Sequence, residues 1–266
     1  MYFFKKDKLQ VKCFVSRNEM GKSAALEVSQ KINELLLEKE EINMIFAAAP
    51  SQNELLASLV SDKTIAWDRI NAFHMDEYIG LGTNMEANLR ASFQSYLNEH
   101  IFGLVNFKSI NYINGETGNA ETECERYANL LSENEIDIVC LGIGENGHLA
   151  FNDPHVADFK DEKLVKIVAL DDACRNQQVN DGCFPSFDEV PKSAITLTMP
   201  MLLSADYMFC VVPGKTKAEA VDKTINDQIS ERCPSTILRE KEDAILYIDS
   251  ESASFIQTVQ FQDKKA

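Results

Sequence analysis

The feature that most constrains the fold is a regular alternation of short apolar runs with longer amphipathic segments. A first strand is predicted at 9–16, and apolar runs with the length of β-strands lie at 42–49, 70–75, 136–144 and 205–212. Nearly continuous apolar runs are typical of strands buried on both faces of a parallel sheet. Helical segments are predicted at 19–39, 52–60, 85–100, 120–134 and 215–226. The alternation predicts a doubly wound α/β fold, with a mostly parallel sheet and helices on both faces.

The bulk composition excludes several classes of protein. A chain of 266 residues without a repeat or linker fits one sizeable domain, or at most two small ones, and we expect a single domain over 1–266. The net charge of −16 argues against nucleic acid and anionic membranes as partners. The N-terminus is too short and too charged for a signal peptide, and no apolar run reaches the ~20 residues of a membrane helix.

The seven cysteines are scattered and form no C-x-x-C pair. A disulfide framework or a zinc site is therefore not expected, and reduced thiols fit a cytoplasmic protein. No histidine or cysteine stands at metal-ligand spacing from His148 either, so we predict no metal.

Polar and ionisable residues follow the predicted strands. In an open parallel sheet, ligands bind outside the carboxyl ends of the strands. The segments at those ends are 50–54, 76–78, 145–148 and 213–217. Their convergence at one edge of the sheet predicts a binding site there.

Three segments are candidates for binding an anion. The turn from Ala49 to Glu54 enters a helix, where free N–H groups attract phosphate, and Ser51, Gln52 and Asn53 could add hydrogen bonds; the alternative is an ordinary N-cap by Ser51. Lys217 stands near a helix N-terminus, a position that a cation occupies more readily if an anion lies between. Arg175 is either an anion clamp or a surface partner of Asp171 or Asp172.

Two segments are candidates for proton transfer. Asp76 lies just past a buried strand, where partial desolvation would make its carboxylate a useful base; the alternative is a turn residue, and Glu77 is expected to face solvent. The run LGIGENGHLAFNDP (141–154) places three glycines, Gly144 among them, in a turn after a strand. His148 emerges from this turn, and Asp153 follows five residues later. We favour a catalytic His148 over a structural one.

A base, a histidine and an anion pocket suit aldose–ketose proton transfer on a sugar phosphate, or hydrolysis of a sugar-phosphate lactone; neither reaction needs a cofactor. With these landmarks the whole chain resembles the glucosamine-6-phosphate deaminase family, whose Rossmann-like fold is shared with 6-phosphogluconolactonases. The motifs FHMDEYIGL (73–81) and LGIGENGHLAFNDP (141–154) carry the resemblance most specifically, and ITLTMPMLLSADYMFCVVPGKTKAEAV (195–221) and CPSTIL (233–238) follow in order.

The resemblance implies conversion of glucosamine 6-phosphate to fructose 6-phosphate and ammonia. Asp76 would move a proton from C2 to C1, and His148 would open the sugar ring with Asp153 orienting it. Lys217, Arg175, Gly144 and the 49–53 loop would bind the substrate, and no cofactor is implied. Asn146 stands where well-known members have Asp, Asp153 where they have Glu, and the 49–54 loop lacks their Thr-Gly-Gly-Thr pattern.

Two alternatives remain. A 6-phosphogluconolactonase would use His148 as its hydrolytic base, but usually has Arg where this chain has Tyr78. A non-catalytic sugar-phosphate sensor would need only the anion pocket. Bacterial regulators of that kind carry a DNA-binding segment, and the absence of a basic helix-turn-helix before the domain in this acidic chain argues against one. The expected ligand is a phosphorylated amino sugar, and a homo-oligomer is compatible with the sequence.

Overall fold

The computed structural model describes residues 1–81, 92–180 and 182–256. Its main sheet has eight strands, and the spatial order is β1-β2-β11-β10-β7-β3-β4-β6. Their bounds are β1 Tyr2–Lys6, β2 Leu9–Phe14, β3 Ile42–Phe46, β4 Ile70–His74, β6 Ser109–Asn111, β7 Ile138–Leu141, β10 Tyr207–Val212 and β11 Ala244–Asp249. Only β1 runs antiparallel to its neighbour. The predicted mostly parallel sheet is confirmed.

Seven α-helices lie in the described ranges: α1 Arg17–Glu38, α2 Asn53–Ser61, α3 Phe93–Leu97, α4 Ala120–Ser132, α5 Asp172–Asn180, α6 Met199–Leu203 and α7 Ala218–Asn226. Residues 85–91 of the predicted 85–100 helix lie outside the described residues, and α3 continues as a π-helical turn over Asn98–Phe102. None of these helices is long and apolar enough to cross a membrane.

Helices cover both faces of the main sheet. Alternate residues of each buried strand point to opposite faces and so pack against different helices. In β3, Met44 and Phe46 join a core cluster that includes α1 and α2, whereas Ile45 joins a second cluster that includes α4 and α7. The two clusters account for the continuous apolar runs in the sequence. The doubly wound architecture is therefore confirmed.

A second, antiparallel sheet of three short strands was not predicted. It consists of β5 Asp76–Tyr78, β9 Ser193–Leu197 and β8 Val165–Ala169, in the order β5-β9-β8. Because β5 begins two residues after β4 ends, the chain passes directly from one sheet to the other at Met75. The carbonyl of Met75 accepts from the N–H of Leu197, at 2.9 Å, and ties the junction together.

In the main sheet, β3 and β7 are neighbours, and the strands that follow them in sequence lie on opposite sides of this pair. The chain runs from β3 outward to β4 and β6, then returns to β7 beside β3 and proceeds through β10 to β11. A crevice forms outside the strand ends at such a switch point. The loops after β3, β4, β7 and β10 all open onto it.

Candidate active site

A cavity of about 200 Å³ lies at this switch point. The segments that line it are 47–51 after β3, 75–76 after β4, 142–151 in part after β7, and 213–217 in part after β10. Arg17, Phe93 and residues of α5 complete the wall. The predicted convergence of these loops at one edge of the sheet is present in the fold.

Asp76 presents a buried carboxyl group to this cavity. The residue is only 6% exposed, and within the described residues no donor hydrogen-bonds to its side chain. Burial, followed by the charge of Glu77, raises the pKa of Asp76 well above its usual value. A carboxylate with a raised pKa and no competing donor is suited to accept a proton from carbon.

Glu77 is buried, contrary to the expectation that it faces solvent. Its carboxylate accepts from the N–H groups of Tyr78, Phe93 and Gln94 and from the hydroxyl of Ser92. Although burial raises the pKa of Glu77, these four donors oppose that effect and favour the anion. Glu77 thereby fixes the start of α3, which brings Phe93 to the cavity wall, and places a negative charge beside Asp76.

His148 faces the cavity and is held from behind by Asp153. The Nδ1 of His148 lies 2.9 Å from Oδ1 of Asp153, which is fully buried. Burial alone would raise the pKa of Asp153, but the charge and hydrogen bond of His148, with the amide of Asn146, lower it to about 2. Asp153 therefore remains an anion, and Nε2 is the imidazole nitrogen that can meet a ligand.

Asn146 positions both partners of this pair. Its Nδ2 donates to Oδ1 of Asp153 at 2.7 Å, and its Oδ1 accepts from the N–H of His148 at 3.1 Å. Neither Asn146 nor Asp153 lines the cavity. The amide supplies one donor and one acceptor, which an aspartate in its place could not do.

Gly144 allows the imidazole to lie against the backbone. A Cβ atom at this position would stand 2.2 Å from Cε1 and Nε2 of His148. No side chain fits there, so the glycine is required by the packing of His148 and not by its own backbone angles. Gly144 also lines the cavity, as expected.

The 49–53 segment divides into residues that line the cavity and residues that do not. Ala49 and Ser51 line it together with Pro50. Gln52 does not: it is fully buried, and its Nε2 donates to the carbonyls of Leu141 and Val211. The amide of Gln52, predicted to add a hydrogen bond to a ligand, here joins the loop to β7 and β10.

The Asn53 side chain is likewise outside the cavity lining. Its Oδ1 accepts from the hydroxyl of Tyr96, which also donates to the carbonyl of Ala49 at 2.7 Å. Asn53 therefore holds the loop onto α3 instead of contacting a ligand. Ser51 does not cap the helix by a side-chain hydrogen bond either.

Lys217 also lines the cavity and is only 7% exposed. It follows a turn at Gly214, whose φ of +91° favours glycine. It immediately precedes α7, whose N-terminal N–H groups add positive potential. Lysine and helix end together suit an anionic group.

Arg175 does not line the cavity, contrary to the expectation of an anion clamp. Its guanidinium donates to the main-chain carbonyls of Val190 and Phe187 and lies over the ring of Phe187, 3.8 Å from the centroid. The alternative of a surface ion pair is wrong as well, since the residue is buried. Arg175 anchors the segment after α5.

Three polar residues of the cavity wall were missed from the sequence: Arg17, Gln177 and Gln178. Arg17 donates from Nε to Glu54 and from Nη2 to the carbonyl of Pro50. No motif marks these residues, because they lie on helices whose sequences look like ordinary amphipathic or surface segments. With Lys217, Arg17 brings a second cationic side chain to the cavity of a strongly acidic protein.

A family model for glucosamine-6-phosphate isomerases/6-phosphogluconolactonase matches residues 15–247. The chain belongs to this family. It is 32% identical over 236 residues to a glucosamine-6-phosphate deaminase of Listeria monocytogenes, covering 89% of this chain and 95% of that protein. It is 36% identical over 202 residues to glucosamine-6-phosphate deaminase 1 of Bacillus subtilis, covering 75% and 80%.

Solved structures of the family share the fold. A monomeric glucosamine-6-phosphate deaminase superposes with a TM-score of 0.81 at 30% identity, covering 92% of this chain and 98% of that one. A 6-phosphogluconolactonase from Thermotoga maritima gives 0.72 at 21% identity, covering 91% and 100%. The second likeness concerns the fold alone.

Proposed function

We propose that this protein converts glucosamine 6-phosphate and water to fructose 6-phosphate and ammonia. The observation that carries the proposal is that Asp76, His148 with its partner Asp153, and Lys217 are brought to one cavity. A base, a proton shuttle and a cation in one cavity match the groups that an amino sugar phosphate presents. The names of the relatives point to the same reaction.

The reaction begins with ring opening. Nε2 of His148 takes the proton of the C1 hydroxyl and delivers a proton to the ring oxygen as the bond between C1 and the ring oxygen breaks, which yields the open-chain aldehyde. Asp153, kept anionic by the low pKa described above, stabilises the imidazolium form of His148 and keeps its Nδ1 engaged.

Isomerisation then follows at the carboxyl group of Asp76. It removes the C2 proton, the electron pair of the C–H bond forms the C1–C2 double bond of an enolamine, and the carbonyl oxygen takes a proton from water. Return of a proton to C1 leaves an imine at C2. Addition of water to the imine expels ammonia and gives the ketone. Proton-transfer groups of this kind each contribute about 10²–10⁴-fold to the rate.

The 6-phosphate is the expected anionic end of the substrate. Its candidate partners are the Lys217 ammonium, the Arg17 guanidinium, the hydroxyl of Ser51 and the N-terminal N–H groups of α7. A phosphate provides acceptors for each of these donors. The local positive charge is required because the protein as a whole carries −16 and repels anions at long range.

One observation weighs against the lactonase alternative. Tyr78, where that motif usually has Arg, is fully buried and packs against Phe93, Phe151 and Phe184. An arginine in this aromatic surrounding would lose much of its hydration. The surroundings of this position therefore suit a tyrosine better than an arginine.

We also propose a cytoplasmic location, because the seven cysteines are free thiols and six of them are buried. A homo-oligomer and a single domain over 1–266 remain predictions. The similar solved deaminase is described as monomeric.

The test is ammonia release by the purified protein with glucosamine 6-phosphate, beside galactosamine 6-phosphate and 6-phosphogluconolactone. Ammonia and fructose 6-phosphate from an amino sugar, with deuterium from D₂O at C1 of the product, support the proposal. Asp76→Asn should abolish both signals and keep the affinity for fructose 6-phosphate. Hydrolysis of the lactone alone would move the assignment to the lactonase, and binding without turnover would favour the sensor.

A further inference from the structure

Gln178 is a buried polar side chain whose hydrogen-bonding groups the described part of the fold leaves unused. It is 6% exposed and lines the cavity, and its carboxamide makes no hydrogen bond to any of the residues that the structure describes. Neither of its amide atoms is among the fully buried polar atoms that lack a partner, so the carboxamide keeps access to the cavity. Since the remaining exposed surface of Gln178 faces the cavity, the missing partner is expected to be a ligand.

The neighbouring Gln177 shows what a structural glutamine does in the same helix. Its Oε1 accepts from the N–H of Glu145 at 2.9 Å and thereby ties α5 to the turn that carries His148. Asn176, on the exposed side, donates to the carbonyl of Asp172. Gln178 differs from both of these residues, because its side chain bonds to no part of the chain that the structure describes.

The direction of α5 locates Gln178 within the cavity. Near its start, the thiol of Cys174 lies beside Asp153, whose charge adds to burial in raising the pKa of that thiol. Beyond its end, Cys183 lines the cavity, and its N–H donates to the carbonyl of Gln178. Gln178 follows Cys174 by one helical turn, about 6 Å along the axis. Along the chain it therefore stands between the thiol beside Asp153 and Cys183 on the cavity wall.

We propose that the carboxamide of Gln178 binds the C3 and C4 hydroxyls of an open-chain hexose 6-phosphate and selects the configuration at C4. This inference rests on the proposed function, because it assumes that a sugar phosphate spans the cavity from His148 to Lys217. A carboxamide offers two donors and an acceptor, so it can bond two adjacent hydroxyls at once. A sugar with the opposite C4 configuration would turn one hydroxyl away and leave part of the amide unpaired.

The experiment compares wild type with Gln178→Ala and with Gln178→Met, which keeps the length and packing of the side chain. kcat/KM is measured for glucosamine 6-phosphate and galactosamine 6-phosphate. Affinity is measured for glucitol 6-phosphate, an unreactive open-chain analogue, and for inorganic phosphate. Asn176→Ala, on the exposed side of the same helix, is the matched control.

Both Gln178 variants should lose about tenfold to hundredfold in kcat/KM for the preferred sugar and a similar factor in affinity for glucitol 6-phosphate. The ratio of kcat/KM between the two amino sugars should fall toward one, and affinity for inorganic phosphate and the behaviour of Asn176→Ala should stay at wild type. Wild-type kcat/KM in Gln178→Met would overturn the inference. An equal loss of phosphate affinity would do so too, since it would show that Gln178 shapes the cavity as a whole.

The proposed function is judged separately, from the wild type. A wild type that binds glucitol 6-phosphate but releases no ammonia would refute the deaminase and, if the affinity loss persists in the variants, would leave the role of Gln178 supported. A wild type that binds neither the hexitol phosphate nor inorganic phosphate would overturn both.

Discussion

Replacement of Gly144 by alanine tests whether the position of the His148 imidazole determines activity. The new Cβ atom would stand 2.2 Å from Cε1 and Nε2 of His148 and 2.4 Å from Nδ1. Ordinary contacts between such atoms begin near 3.4 Å, so the ring has to retreat by roughly 1 Å. This movement would disturb the 2.9 Å contact between Nδ1 and Asp153.

A displacement of about 1 Å at a reacting group costs on the order of 100-fold in rate, or about 2.7 kcal/mol in the activation free energy. We therefore expect Gly144→Ala to lower kcat/KM for glucosamine 6-phosphate about 100-fold. The crowding should also lower the free energy of unfolding by about 1–3 kcal/mol. Ammonia release and denaturant unfolding measure the two effects.

Two controls make the reasoning refutable. Gly118 is exposed, and a Cβ atom added there would have no neighbour within 4 Å, so Gly118→Ala should change neither quantity. In a His148→Ala background the clash is gone, so Gly144→Ala should no longer destabilise the protein. Wild-type kcat/KM in Gly144→Ala, or an equal loss of stability with and without the imidazole, would refute the argument.

Three further predictions concern the carboxylates. Because the raised pKa of Asp76 makes its ionised form unfavourable in the folded state, wild type should lose stability as the pH rises through that pKa. Asp76→Asn should therefore be more stable than wild type at pH 8, by about 1.4 kcal/mol per unit of pKa elevation, and equally stable below about pH 4; an unchanged difference in denaturant unfolding at the two pH values would contradict this. Glu77→Gln should shift the acidic limb of the kcat/KM–pH profile to lower pH, because a negative charge beside Asp76 is removed, and should cost about 1–3 kcal/mol of stability through the lost acceptors; a stationary limb would show that the charge does not reach Asp76. Asp153→Asn should lower kcat by about 10²–10⁴-fold with KM nearly unchanged, because the imidazolium loses its anionic partner; a change confined to KM would instead assign Asp153 to substrate binding.

The fold class could be read from the sequence because burial on two faces leaves a direct mark on composition. The runs containing β3, β4, β7 and β10 are largely apolar, a pattern typical of strands covered on both sides. The second sheet left no such mark. Its strand β5 has three residues, Asp76, Glu77 and Tyr78, which are buried by contacts with β9 and α3 despite two ionisable side chains.

The contacts among the proposed proton-transfer residues were predictable because they are local. His148, Asn146 and Asp153 lie within eight residues of one another on a glycine turn, so their contacts depend on local geometry that the motif itself specifies. Asp76 follows a buried strand directly, and its place at the edge of the sheet comes with the strand.

Only the tertiary structure decided which more distant side chains meet at the cavity. Arg175 and Gln178 are three residues apart on α5, yet the first bonds the carbonyls of Val190 and Phe187 while the second faces the cavity. Arg17 enters the wall from the start of α1, far along the chain from Lys217. A side chain's own sequence neighbours do not determine these destinations, because hydrogen-bond partners and packing surfaces come from segments that are brought together by folding. The sequence by itself determined the sheet and the local chemistry of its strand ends, and the packing of the helices decided which polar groups remained available for a ligand.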